Sequence, residues 1–168
     1  MGHMLFAGLV LGAVFTAAAV VFLMRRIMLE VLESPHSFDE TVRRLEQAVK
    51  DRGWVLSDSK DFNASLAEHG VEFKPRVHLI ALCKPEYAKE VLRDERRVAC
   101  LMPCTFAVYE DDAGRVRVSK MNTGVMGKVF GGTVARVMGG GVAEDEKAML
   151  AAALGSGRGR VGSSAVLD

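Results

Sequence analysis

Val77 to Leu92 reads VHLIALCKPEYAKEVL, and the change of pattern inside it decides the fold. Val77 to Cys83 is a continuous apolar run of the length of a buried strand. Pro85 then takes the first-turn position of a helix that carries Tyr87, Ala88, Val91 and Leu92. A strand delivered straight into a helix N-terminus predicts a mixed domain, and the flanking sequence extends it on both sides. Upstream, Ile27 to Glu33 is β-compatible and is stopped by Ser34-Pro35. Ser37 with Glu40 three residues on reads as a capping box, and Phe38, Val42, Leu45 and Val49 follow at helical spacing until Gly53. Trp54 to Leu56 restarts an extended stretch, and Asp61 to His69 reads as a short helix closed by Gly70. Downstream, Val98 to Leu101 and Thr105 to Glu110 read as extended. Asp111-Asp112-Ala113-Gly114 then turns the chain into Arg115 to Lys120, a hairpin with a glycine-bearing turn. The fold class is α+β.

Beyond Asn122 glycine becomes frequent. Val125 to Met138 is helix-permissive, and Gly127, Gly131, Ala135 and Gly139 recur every four residues as a small face for close packing or for another subunit. Ala143 to Leu154 reads as the last helix, and from Gly155 on the chain is glycine- and serine-rich. As domains, this gives an anchor over 4–24, a soluble α+β domain over 27–150 and a flexible C-terminal tail over 151–168.

The anchor follows from charge. Met4 to Met24, MLFAGLVLGAVFTAAAVVFLM, contains no charged residue, and at ~1.5 Å per residue it reaches about 30 Å, the hydrocarbon thickness of a bilayer. No basic residue precedes it and no small-residue cleavage site follows it, so it reads as a retained transmembrane helix rather than a signal peptide. Arg25 and Arg26 come directly after it. The positive-inside rule then places the soluble domain in the cytoplasm at a bacterial-type inner (cytoplasmic) membrane, with the periplasmic side as the alternative. Gly8, Gly12 and Thr16 give the span a small face suited to self-association.

The chain has 168 residues, and 22 Lys+Arg balance 21 Asp+Glu to a net charge of +1, which argues against nucleic acid as a partner. Between Ala113 and Ala143 the charges are all basic: Arg115, Arg117, Lys120, Lys128 and Arg136. They form either solvated faces or a surface drawn to anionic lipid.

Chemistry rests on a few residues. Cys83 ends its strand just before a helix N-terminus and beside Lys84, a setting that favours thiolate, and Cys104 enters the next strand after Pro103. These two are candidate catalytic residues, Cys83 as nucleophile and Cys104 as resolving or sulfur-carrying partner. With His36 they are also a candidate ligand set for haem or a soft metal. The alternative is that all three cysteines fill the core. The spacing of Cys100 and Cys104 does not define a metal site. His78 is expected to be a hydrogen-bonded core or interface group, and the acids from Glu110 to Asp112 to cap or solvate the turn. Neither a phosphate-binding loop nor a G-x-S-x-G or H-E-x-x-H element is present.

Three elements together resemble the family called domain of unknown function 302: Ser34-Pro35-His36-Ser37-Phe38-Asp39-Glu40-Thr41, Leu82-Cys83-Lys84-Pro85, and Leu101-Met102-Pro103-Cys104 followed by Val108-Tyr109-Glu110-Asp111. The resemblance covers about Ile27 to Leu150. It implies a curved antiparallel sheet gripping helices, TATA-binding-protein-like, often assembled as oligomers, and it implies no established reaction. Lys84 stands where the family tends to have asparagine, and Gly124 to Gly141 is unlike the more leucine-rich family helix. The expectation is thus a single-span membrane protein with an oligomeric accessory or ligand-binding domain. Its partners are lipid through residues 4–24, further copies of itself and a membrane protein. The alternatives are a thiol-based redox or sulfur-carrier protein, a haem- or metal-binding protein, and a minor subunit of a larger membrane complex.

Overall fold

The computed structural model describes residues 2–155; the expected tail lies outside them except for its first residues, which complete the last helix. Helix α1 (Gly2–Met28) runs directly into strand β1 (Leu29–Glu33). The helix is longer at its C-terminus than the predicted span, so the strand begins two residues later than expected. From Val10 to Met28 no described residue is buried. The helix meets the domain at β1 and at the helix Thr123–Phe130.

The domain that follows is built on a five-stranded antiparallel sheet in the order β1-β5-β4-β3-β2. Strand β2 is Val55–Asp61, β3 Val77–Cys83, β4 Cys104–Glu110 and β5 Val116–Met121. Chain-adjacent β1 and β2 lie at opposite edges, and α2 (Phe38–Asp51) makes the crossing between them. Its buried stripe of Phe38, Thr41, Leu45, Ala48 and Val49 packs over the middle strands. Burial alternates along β3. Ile80 and Leu82 face α2 with Phe106 and Val108 of β4 and Val118 of β5, all fully buried, while Leu79, Ala81 and Ala107 on the other face are half-buried.

Three local expectations are corrected. Ser37 is the N-cap of α2, but its side chain makes no cap hydrogen bond and Glu40 pairs instead with Arg43 and Arg44. The entry is held by Thr41, whose hydroxyl donates to the Ser37 carbonyl at 2.8 Å and meets Ser34 Oγ at 2.6 Å. Arg96–Leu101, expected to be extended from Val98 on, is a 3₁₀ helix following α4 (Pro85–Asp94), with the Glu95 side chain accepting from the Arg97 N–H at its start. The glycine-rich region is not one helix. It consists of α5 (Thr123–Phe130), α6 (Gly132–Arg136), a π-helical segment Val137–Val142 and α7 (Ala143–Leu154).

The break comes at Gly131 and Gly132, with φ of +70° and +51°, a left-handed pair that folds α6 back on α5. The small face is therefore spent inside the chain: a Cβ at Gly127 would lie 2.9 Å from the Gly139 amide nitrogen and 3.1 Å from Ala135 Cα. The short helix read at Asp61 to His69 is α3 (Phe62–Ala67), capped by the Asp61 side chain. The β4–β5 turn is organised as expected, with Asp111 accepting from the Ala113 and Arg115 amides and Gly114 at φ +73°.

The contact at Gly127 sets a test. Gly127→Ala must push two backbone segments apart and is expected to lower the stability of the full chain in detergent by about 1–3 kcal/mol. Gly140→Ala, whose added methyl meets nothing within 4 Å, should be neutral or stabilising. Denaturant titration of the two variants side by side checks the difference, and equal effects would contradict the helical hairpin.

Candidate functional site

Cys83 and Cys104 are brought together. The β3–β4 register pairs Leu82 with Cys104, so Cys83 is one step along the neighbouring strand, and both cysteines border one slot with Trp54, Tyr87, Met102 and Met138. That slot has a volume of about 20 Å³, enough for about one water molecule and too small for haem. His36 is not part of it. It lies before α2, whereas Trp54 lies after the far end of that helix, ~20 Å away along fourteen residues of helix. Among the described residues no three His, Cys, Asp or Glu side chains gather as a metal-holding group. Cys100 is exposed on the 3₁₀ helix, donating to the Arg97 carbonyl.

Burial pushes the Cys104 thiol up to about 12, reinforced by the neighbouring Glu146 carboxylate and by Cys83. A thiol held protonated is a poor nucleophile. Lys84, next to Cys83, is turned to a different purpose. Its ammonium lies 3.1 Å from Asp145 and 4.8 Å from the centre of the Tyr87 ring, and Asp145 also accepts from Trp54 Nε1 at 3.0 Å. Burial raises the Asp145 carboxyl, but the hydrogen bonds from Trp54 and Lys84 outweigh it and leave Asp145 below its ordinary value.

The neighbouring acid, Glu146, marks the second and larger feature. It is only 2% exposed, and its Oε2 accepts from Lys120 Nζ and from the Thr123 hydroxyl, both at 2.9 Å. Lys120 is 7% exposed, donates to the Met121 carbonyl and stands 3.5 Å from Glu30. Desolvation raises the Glu146 carboxyl against the pull of Lys120. Lys120 and Thr123 border two cavities. One, of about 410 Å³, sets the polar groups of Lys120, Thr123 and Glu30 against an apolar wall of Leu32, Leu150 and Leu154. The other, of about 250 Å³, is bordered by Lys120 and Thr123 together with Glu146, Cys104 and Met126. An apolar wall with a few convergent polar groups, at this volume, suits a small amphipathic molecule.

The basic stretch noted in the sequence is thereby largely accounted for. Lys120 is in this pair, and Arg117 is buried between Glu33 at 2.9 Å and Asp111 at 3.0 Å. Arg115 pairs with Asp111 and Arg136 with Glu90, and Lys128 is exposed. His78 makes the hydrogen bond expected of it, Nε2 to Ser59 Oγ at 2.8 Å, and Ser59 also bonds Glu46.

Sequence reasoning missed Lys120, Thr123, Glu30 and Glu146 as a site, although a signal was present. Lys120 continues the inward alternation of Val116 and Val118. Glu146 stands in the stripe that holds Met149, Leu150 and Ala153, where a lone carboxylate needs a partner.

A family model described as Domain of unknown function DUF302 matches residues 30–156. The crystal structure of an uncharacterized conserved DUF302 protein from Bacillus stearothermophilus is similar in fold, with a TM-score of 0.65 at 19% identity over 74% of this chain and 96% of that one. Two proteins named fluoride-specific ion channel FluC 1, from Brucella suis biovar 1 (strain 1330) and Brucella abortus biovar 1 (strain 9-941), are each 28% identical over 88 residues. The match covers 52% of this chain and 34% and 32% of theirs. This chain thus matches about a third of the length of those relatives.

A raised thiol contributes stability that is complete below its unfolded value of 9.0 and is lost as pH climbs toward about 12. In native protein, iodoacetamide is accordingly expected to modify Cys100 at mildly alkaline pH and to spare Cys104, located by peptide mass mapping. A Cys104 that reacts with the ordinary ~8.5 midpoint of a free thiol would contradict its burial and revive the pair as a redox centre.

Proposed function

The chain belongs to the DUF302 family, and on that premise we propose that it is a single-span membrane protein whose α+β domain is a ligand-binding accessory module. The observation that carries the anchor is the 19-residue stretch Val10–Met28, in which no described residue is buried, with a mean hydropathy of 1.9. In water, leaving that much apolar side-chain surface open forfeits ~25 cal/mol for every Å², a loss that a bilayer removes. Arg25 and Arg26 at its end favour a cytoplasmic domain. The ligand site is the cavity of about 410 Å³ bordered by Lys120, Thr123 and Glu30.

The test of the anchor is extraction. The full chain is expected to stay in the membrane pellet through alkaline carbonate and to be released by detergent. Appearance in the carbonate supernatant would overturn the reading.

A second reading, that the module serves a membrane transport protein, is favoured by one observation: the similarity to segments of longer proteins named as fluoride-specific ion channels. It predicts that mild-detergent extraction co-purifies a polytopic membrane protein with this chain in fixed ratio. Purification as a homo-oligomer alone would count against that role.

A further inference from the structure

Helix α5 is eight residues long, and its inner side is buried at Thr123, Met126 and Gly127. Its last two residues are not: Val129 is 64% exposed and Phe130 51%. Met126 and Phe130 are one turn apart and lie on adjoining parts of one helix face, so the apolar stripe that enters the core at Met126 leaves it again at Phe130. The left-handed Gly131-Gly132 turn follows at once and sends the chain back, which keeps this apolar corner projecting. Leu29, also exposed, borders the same cavity as Met126.

This corner is tied to the proposed anchor. The Asn122 amide, at the N-cap of α5, donates to the carbonyl of Met28, the last residue of α1, at 2.8 Å, and α1 and α5 are in contact. Eight helical residues rise ~12 Å and the bond to Met28 adds 2.8 Å, which keeps Val129 and Phe130 close to the point where the span ends. The acids nearest in the fold, Asp94 and Glu90 of α4, are taken up by Thr133 and Arg136. Thr123 to Val142 contains no acidic residue, and exposed Lys128 precedes Val129.

We propose that the Val129–Phe130 corner of α5, with Leu29, inserts into the lipid–water boundary beside the anchor, so that the domain rests on the membrane in one orientation instead of swinging on its tether. Apolar side chains then enter the acyl boundary while Lys128 meets anionic head groups, the arrangement of an interfacial amphipathic helix. The proposal rests on the reading of α1 as a span.

The experiment uses the full chain reconstituted in phosphatidylcholine–phosphatidylglycerol vesicles, with lipids brominated on the acyl chain as quenchers. Trp54 is the protein's sole tryptophan and is buried, so it supplies the baseline. Phe130→Trp adds a reporter at the corner, Val129→Trp a second in case the first fails to accumulate, and Asp112→Trp a control at the β4–β5 turn, the far end of β5. With the chain floating with the vesicles, the emission added at position 130 or 129 should fall about twofold or more in brominated lipid, while that added at 112 is unchanged. A floating chain whose corner reporter is no more quenched than the control overturns the membrane-resting surface and leaves the anchor standing. If that unquenched emission shifts to the blue as protein density in the vesicles rises, the corner instead meets a second copy. A chain that does not float overturns the anchor, and this inference with it.

Discussion

Two consecutive acids at the start of α7 determine how the domain closes. Asp145 reaches Lys84 at the end of β3, and Glu146 reaches Lys120 on β5, so the last helix is clamped to the sheet at two points. The two clamps are of different character. Asp145 is partly open to water and bonds three neighbours including Arg52, while Glu146 and Lys120 are sealed from solvent. Removing such ions from water costs several kcal/mol each, and their attraction recovers that only with good geometry and added hydrogen bonds. Here Thr123 and the Met121 carbonyl supply those bonds. The pair is better understood as fixing one position of α7 than as a large source of stability, and that position shapes both cavities.

The same arrangement explains why the charge pattern of the sequence misleads. Arg117 and Lys120 look like parts of a basic surface because Glu33, Glu30 and Glu146 are far away in sequence. The pairing of β1 with β5 and the return of α7 bring them within 4 Å. Long-range complementarity of this kind leaves no local trace beyond a charged residue standing where an apolar one is due.

What could be read directly was local. Val77–Cys83 is a strand and Pro85 opens a helix, since period, proline position and length agree there. The β4–β5 hairpin follows from Asp111 and Gly114. The apolar N-terminal helix was legible from the absence of charge alone. Misreadings came where two patterns competed. Val98 to Leu101 has strand-like residues but sits between Glu95, which caps it, and Pro103, and it winds into a 3₁₀ turn. The repeat of small residues from Gly127 to Gly139 suggests one helix, yet two adjacent glycines permit a left-handed turn that no other pair would adopt as cheaply. Cys83 and Cys104 stand on neighbouring strands, but the narrowness of their slot depends on Trp54, Tyr87 and Met138, which come from elsewhere in the chain.

The decisive measurement is a double-mutant cycle on the sealed pair, with Lys120→Met, Glu146→Leu and the combined variant compared with the unaltered chain by denaturant unfolding in detergent. Each single change strands a buried charge and is expected to cost about 3–5 kcal/mol. The double variant should recover most of that loss, giving a strong coupling term. Single effects that simply add, within about 0.5 kcal/mol, would mean that the two side chains do not hold each other, and the account of how α7 is positioned would fail.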